Sequence, residues 1–447
     1  MKELSSDSCH FFDLKTLAPH HLKSVTSFEA SLAYAKRADR ADVLKKFRAQ
    51  FLIPRHEGKP AIYLTGNSLG LQPRATKKFI GEELEDWATL GVEGHEHARR
   101  PWLYYHKFSK KALAKIVGAL PAEVVAMNQL TVNLHMLMVS FYRPTPQRYK
   151  ILTEAGAFSS DQYAFESQLK FHGLDPDSAL IELRPREHEH TLRTEDILQA
   201  IQTHGAELAL VIFGGIQYYT GQFFRVEAIT HAAHNAGAIV GFDLAHAVGN
   251  VPLQLHDHSV DFAVWCSYKY LNAGPGAIAG AFVHERHAAS ADLPRFAGWW
   301  GHNETERFQM RKGFKPQPGV DGWQVSNVPI FQSAALLASL EIFNAAGMKA
   351  LRRKSIALTG YLEYLLKNID PAGEQFAIIT PADPQARGCQ LSLIMKKNGR
   401  KVFQRLTKAG VIVDWREPGV IRLSPVPLYN TFEEIYRVSE IIRSSLK

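Results

Sequence analysis

Cysteine is scarce in this chain of 447 residues: Cys9, Cys266 and Cys389 are the whole set. Odd in number, scattered and without a C-x-x-C pair, they fit a reducing compartment and exclude a cysteine-only zinc site. Long hydrophobic runs are missing too. No apolar stretch approaches the roughly 18 residues that a membrane span requires, and the polar start at residues 1–7 lacks the apolar core of a secretory signal. A cytoplasmic location without a membrane partner is therefore expected. There is no internal repeat or low-complexity tract, no G-x-x-x-x-G-K-[ST] phosphate loop and no H-E-x-x-H zinc helix. Gly274-Pro275-Gly276-Ala277-Ile278-Ala279-Gly280 is no dinucleotide fingerprint, since its third glycine comes one residue late and the segment leads into a strand. Clustered positive charge is also sparse. The 52 basic and 44 acidic residues leave +8, but the basic ones are dispersed and accompany no nucleic-acid-reading motif, so no nucleic-acid partner is expected.

What is present, 46% hydrophobic and 21% charged residues, is the composition of a globular protein with a sizeable core and two or more domains. Strand-like runs at 149–154, 179–183, 208–213, 238–243, 260–266 and 277–283 alternate with helix-like segments at 161–172, 226–235 and one that Thr194 would cap. Gly237 stands where a left-handed helix C-cap belongs. This alternation predicts an α/β fold with a mostly parallel sheet covered on both faces. After Pro329 two helical stretches, 332–346 and 348–369, lead into a smaller α/β unit with strands 388–394 and 420–423 around a helix 402–409. The expected division is a large domain at 75–335, and a small domain built from 1–74 and 336–447.

The most informative stretch runs from Phe242 to Gly276. Asp243 ends one apolar run, His246 follows, and the next run ends in Ser267-Tyr268-Lys269-Tyr270-Leu271-Asn272. Parallel strands deliver side chains at their carboxyl ends, so an acid and a lysine 26 positions apart can face one cavity. A carboxylate that favours a protonated pyridine nitrogen, and an amine that condenses with an aldehyde, are what pyridoxal phosphate chemistry needs. Either residue alone reads as an ordinary loop cap or surface lysine; together, beside His246 and a glycine-rich loop, they point to that cofactor. Upstream, Asn128-Gln129-Leu130-Thr131 opens a helix whose free N–H groups and dipole suit a phosphate, although Thr131 capping its own helix needs the same geometry.

Two His-Glu-His triplets invite a metal assignment, but His188-Glu189-His190 reads as solvated loop and no metal is expected. The other, His95-Glu96-His97, is followed by Arg99, Arg100 and Trp102, a mixture that suits an aromatic, anionic substrate. Gly298-Trp299-Trp300-Gly301 and Ser326-Asn327 have the same character. Arg422 lies among apolar residues in a strand, and a half-buried arginine needs an anion such as a substrate carboxylate.

From Gly66-Asn67-Ser68-Leu69-Gly70-Leu71-Gln72-Pro73 to Pro425-Val426-Pro427-Leu428-Tyr429-Asn430 the chain resembles the kynureninase family, and most specifically at 130–135, 241–250 and 266–274. The resemblance implies the aspartate-aminotransferase-like fold (pyridoxal phosphate fold type I) and a homodimer with sites at the interface. It also implies hydrolysis of kynurenine and 3-hydroxykynurenine to anthranilate or 3-hydroxyanthranilate plus alanine, in tryptophan catabolism. By the same resemblance Lys269, Asp243 and Tyr268 are catalytic. Leu130, Thr131, Phe158, Asp161, Asp243, His246, Tyr268, Lys269, Trp299 and Asn327 contact the cofactor, and His95, Asn327 and Arg422 contact the substrate. Tyr268 is also a candidate base for the attacking water. Relatives can carry serine where this chain has Gly214, which leaves only a backbone N–H for the phosphate there. A pyridoxal phosphate aminotransferase or a cysteine desulfurase is the alternative, although Cys389 reads as a strand residue rather than a mobile nucleophile.

Overall fold

The computed structural model describes residues 28–288 and 293–446; the polar start and Cys9 lie outside them. The central sheet takes its strands from seven short apolar segments: β1 Val124–Ala126, β2 Lys150–Glu154, β3 Leu180–Leu183, β4 Leu208–Gly214, β5 Ile239–Asp243, β6 Phe262–Trp265 and β7 Gly280–Val283. Their spatial order is β1-β7-β6-β5-β4-β2-β3. Only β7 runs against its neighbours; β5 lies parallel to both β4 and β6, and β2 parallel to β3 and β4.

Burial on both faces explains why these strands lack a polar alternation. Along β4, Val211 and Phe213 join an apolar cluster with Ile197, Ile201, Ile229 and Ala233. Leu210 and Ile212 point the other way, toward Leu134, Leu137, Phe165 and Leu169. The helices that cover the sheet are α1 Leu130–Phe141, α2 Ser159–Phe171, α3 Thr194–His204 and α4 Val226–Asn235. Gly237 adopts φ +74° just beyond α4, the left-handed C-cap expected there. Thr194 does not cap α3: it is the first helical residue, Arg193 holds the cap position without a side-chain bond, and Glu195 and Asp196 supply the negative charge that suits a first turn. Residues 277–279 fall outside β7 because Ala277 N–H bonds back to the Gly274 carbonyl and Ala279 N–H to that of Asn128.

Two further helices, α5 Ile330–Ala346 and α6 Met348–Ile369, meet at Gly347 with a bend of 80°. Among the described residues no single helix is long and apolar enough to cross a membrane. A four-stranded antiparallel sheet follows, from β8 Phe376–Ile378, β9 Leu391–Met395, β10 Asp414–Arg416 and β11 Val420–Leu423, in the order β8-β9-β11-β10. It shares an apolar cluster with Leu358, Leu362, Val402, Leu406, Ile435 and Val438. The amino-terminal part joins this cluster through Tyr34 and Ala35 and through Ile62–Tyr63, which pairs with Val411–Ile412.

One polar knot fixes the amino-terminal edge of the large sheet. Asp261, 2% exposed, accepts from Val240 N–H at 2.8 Å, His234 Nε2 at 2.9 Å and His287 Nε2 at 2.6 Å, and pairs with Arg286. Burial pushes its carboxyl up, but the bonds from His234, His287 and Arg286 outweigh it and hold the group below the usual range. Removing one partner of a buried network leaves the other charges uncompensated. Asp261→Ala is therefore expected to lower stability by about 3 kcal/mol or more, read as a fall in the urea midpoint at unchanged m-value; an unmoved midpoint contradicts this role.

Candidate active site

Strands β2, β4, β5 and β6 end on one edge of the sheet, and their last residues or next loops carry the polar groups. Glu154, Gly214 and Asp243 close their strands, and Asp243 lies in register between Gly214 and Val264. Asp243 Oδ1 accepts from Ala245 N–H at 2.7 Å, which shapes the turn toward His246. Asn250 secures that turn by donating to the His246 carbonyl at 2.9 Å and accepting from Cys389 N–H at 2.9 Å. Lys269 stands in the loop after β6. Gly70 N–H donates to the Tyr268 carbonyl at 2.8 Å, and a Cβ at position 70 would meet the Lys269 carbonyl at 2.3 Å. This close approach is why the segment 66–73 needs glycine there.

Three carboxyl groups gather beneath Lys269. Asp161, in the first turn of α2 and 6% exposed, sits against Asp243. Burial first, then the Asp243 and Glu154 charges, raise its carboxyl well above the ordinary range; Lys269 opposes this shift. Burial likewise raises Glu154 to about 7, against bonds of 3.2 Å from Gly214 N–H to both of its oxygens. Burial, reinforced by Lys269, drives His246 well below its ordinary value, leaving a neutral imidazole. Lys269 Nζ stands 5.8 Å from the Phe158 ring centre and 5.7 Å from that of Tyr268. Burial and the neighbouring Cys266 hold the Tyr268 phenol above its ordinary value.

Asp161 Oδ1, His246 Nδ1 and Ser267 Oγ are buried without a hydrogen-bond partner. Unpartnered buried polar atoms are costly, and a polar group entering this edge would satisfy them. A pyridine ring with hydroxyl and phosphate substituents fits the set. At the margin, α1 starts with Leu130 and Thr131 after the cap residue Gln129, so their N–H groups are free of intrahelical bonds. Thr131 Oγ1 lies 2.8 Å from Ser160 Oγ in the first turn of α2, so Thr131 ties two helix starts together instead of capping its own helix. Gly214 does not take the phosphate-side role left to its backbone, because its N–H already serves Glu154.

Arg422 lies deeper than the half-buried position expected for it. It is 1% exposed and already has an anion: Nε donates to Asp414 Oδ2 at 2.5 Å, Nη2 pairs with the same oxygen, and Nη1 donates to the Tyr218 carbonyl at 2.6 Å. The Tyr218 ring meets Phe158 edge-on, with centres 5.3 Å apart, which connects Arg422 to the Lys269 cluster. Glu154, Ser160, Tyr218 and Asp414 were not singled out from the sequence. Glu154 carried a signal, an acid closing an apolar strand as Asp243 does; the other three sit in ordinary polar contexts.

His95, Trp299 and Asn327 are not brought to this cluster within one chain. Asn327 is exposed, Trp299 is 46% exposed with Nε1 donating to the Arg307 carbonyl, and His95 packs edge-on against Trp102. Arg100 and Trp102 do not make a substrate pocket, since both donate to buried Glu83, at 2.6 and 3.1 Å. Glu123, His256 and His284 also stand close together. There Glu123 already accepts from His256 Nδ1, Glu285 N–H and Leu120 N–H, which reads as a cap. Cys389 is fully buried and its thiol is pushed up to about 12, so it is no mobile nucleophile.

Glu154 yields a pH prediction. A carboxyl raised from 4.5 to about 7 favours folding fully below the unfolded value, and that contribution is lost as pH rises toward 7. Glu154→Gln, neutral throughout, is expected to flatten this loss. Parallel pH–stability curves for the two proteins between pH 4.5 and 7 contradict it.

Comparison with known proteins agrees with this geometry. The kynureninase C-terminal domain family matches residues 351–442. A kynureninase from Myxococcus xanthus is 59% identical over 412 residues, spanning 92% of this chain and 96% of its own length. Kynureninases from Stenotrophomonas maltophilia and Flavobacterium psychrophilum are 54% and 53% identical, over 93% and 94% of this chain and 98% and 99% of theirs. Among solved structures, a cysteine desulfurase from Thermococcus onnurineus superimposes with a TM-score of 0.72 at 17% identity, covering 86% of this chain and 94% of that one. A cysteine desulfurase from Escherichia coli gives 0.72 at 17% identity, covering 90% and 98%. At such identity these two show the fold alone. The relatives settle the family: the chain belongs to the kynureninases, hydrolases of carbon–carbon bonds in ketonic substances.

Proposed function

We propose that this chain hydrolyses the Cβ–Cγ bond of kynurenine and 3-hydroxykynurenine, releasing anthranilate or 3-hydroxyanthranilate together with alanine, with pyridoxal phosphate held at the edge where Asp243 and Lys269 meet. The observation that carries this reading is the joint presence of that edge, with its unpartnered buried polar atoms, in a chain of the kynureninase family. When bound, pyridoxal phosphate supplies the electron sink that lets Cα lose a proton. The chain's residues then divide the remaining work. Free N–H groups of Leu130 and Thr131 hold the phosphate, with the Thr131 and Ser160 hydroxyls and the Tyr268 phenol beside them. Phe158 covers one ring face, Asp161 hydrogen-bonds near the ring hydroxyl, His246 lies beside the ring, and Asp243 faces the ring nitrogen.

Lys269 moves the proton at Cα, and the Arg422 guanidinium takes the substrate carboxylate. Hydrolysis consumes one water: its oxygen ends on the aromatic acid, and Cβ keeps the bonding pair and takes a proton to become the methyl group of alanine. Tyr268 is the candidate for activating that water, by relaying its proton through the contact with the phosphate.

Trp299, Asn327 and His95 complete the site of a second copy in a homodimer. Support comes from their separation from the Lys269 cluster and from the exposure of large apolar side chains on one chain, with Trp87 59% and Phe331 39% exposed in mutual contact. A separate apolar cluster that joins Tyr34 and Leu64 to Leu358, Leu393 and Val438 supports a small domain, while Leu44, Phe51, Leu340 and Val426 pack into the cluster of the large one. The buried, unpaired thiols of Cys266 and Cys389 support a cytoplasmic setting.

Product analysis is the test. Purified protein given kynurenine and no keto acid is expected to yield equal amounts of anthranilate and alanine, and turnover that depends on an added keto acid contradicts the reading.

A further inference from the structure

Resting on the reading of Arg422 as the carboxylate clamp, the geometry points to Asp414 as its positioning residue: it locks the guanidinium in the orientation that leaves two donors open to the substrate carboxylate. A guanidinium has five N–H donors in a fixed plane. Asp414 Oδ2 takes the side edge, through Nε at 2.5 Å and one Nη2 hydrogen. The Tyr218 carbonyl takes one Nη1 hydrogen at 2.6 Å. Two donors remain, one on each terminal nitrogen, for a carboxylate to accept.

The strand pairing fixes this arrangement. Asp414 and Arg422 are direct cross-strand partners in the β10–β11 ladder, so the two side chains meet on one face without a flexible connection. Arg422 is 1% exposed, and an arginine so buried without a partner would be costly. An internal carboxylate alone would cancel the charge that attracts a substrate. Arg416 prevents this: its Nε donates to the same Asp414 oxygen at 3.1 Å, so the trio of two arginines and one aspartate keeps a net positive charge. Orientation and charge are thereby supplied by different residues. The Tyr218 carbonyl adds a third fixed point, and its ring, edge-on to Phe158, places these donors on the Lys269 side.

The test compares kynurenine with its carboxamide, which lacks the anionic carboxylate, on pyridoxal phosphate-loaded wild type, Asp414→Asn, Asp414→Ala and Arg422→Gln. Asp414→Asn is expected to raise KM for kynurenine by roughly tenfold or more, the scale of one charge-assisted hydrogen bond, with kcat little changed. Asp414→Ala should raise it further. In both, the preference for kynurenine over the carboxamide should shrink by a similar factor, while the visible cofactor spectrum is unchanged. The isosteric asparagine variant keeps the test open if the alanine variant fails to fold. An unchanged preference in Asp414→Asn, or a fall in kcat with KM unchanged, overturns the positioning role. If Arg422→Gln also leaves the preference unchanged, the clamp reading itself fails; if Arg422→Gln abolishes it and Asp414→Asn does not, only the inference about Asp414 fails.

Discussion

The site depends on burying several carboxyl groups next to one lysine. Asp243 and Glu154 close their strands at the edge of the sheet where Asp161 opens α2, and burial first, then mutual repulsion, raises Asp161 and Glu154 above the ordinary carboxylate range. Lys269 opposes that shift in Asp161 and adds to the burial that lowers His246. Protons and charges are thus distributed before any ligand arrives. A protonated pyridine with a ring hydroxyl would offer a positive nitrogen to Asp243 and a hydrogen-bond partner to Asp161.

Around that core the chain spends its special residues on close approach and on fixing loops. Gly70 lets one backbone touch another behind Lys269, and Asn250 bridges the His246 turn to the segment before β9. Thr131 and Ser160 join the starts of two helices, so that two positive dipole ends lie together. The smaller sheet contributes Arg422 with its aspartate partner. The Gly70, Asn250–Cys389 and Thr131–Ser160 contacts each join segments far apart in sequence.

Much of this was legible from residue order. Apolar runs without polar alternation announced a sheet covered on both faces, and Asp243 and Lys269 stood out because each closes such a run. Partners that depend on side-chain meetings across the fold were not legible. Nothing in the order of residues shows that Glu154 accepts from Gly214 N–H and so removes that backbone group from the phosphate, or that Arg422 already owns Asp414. The same holds for Arg100 and Trp102, which resemble pocket residues in sequence and instead surround buried Glu83. Exposed Trp299 and Asn327 show the converse: their separation from the cluster in a single chain appears only in three dimensions.

The central claim is that the edge shared by Asp243 and Lys269 is the cofactor cradle. Borohydride reduction of the pyridoxal phosphate-loaded protein, followed by peptide mass spectrometry, tests it most directly. The account predicts a phosphopyridoxyl group on Lys269 and on no other lysine. Its appearance on a different lysine, or its absence from Lys269 in a protein that has bound the cofactor, would contradict the account.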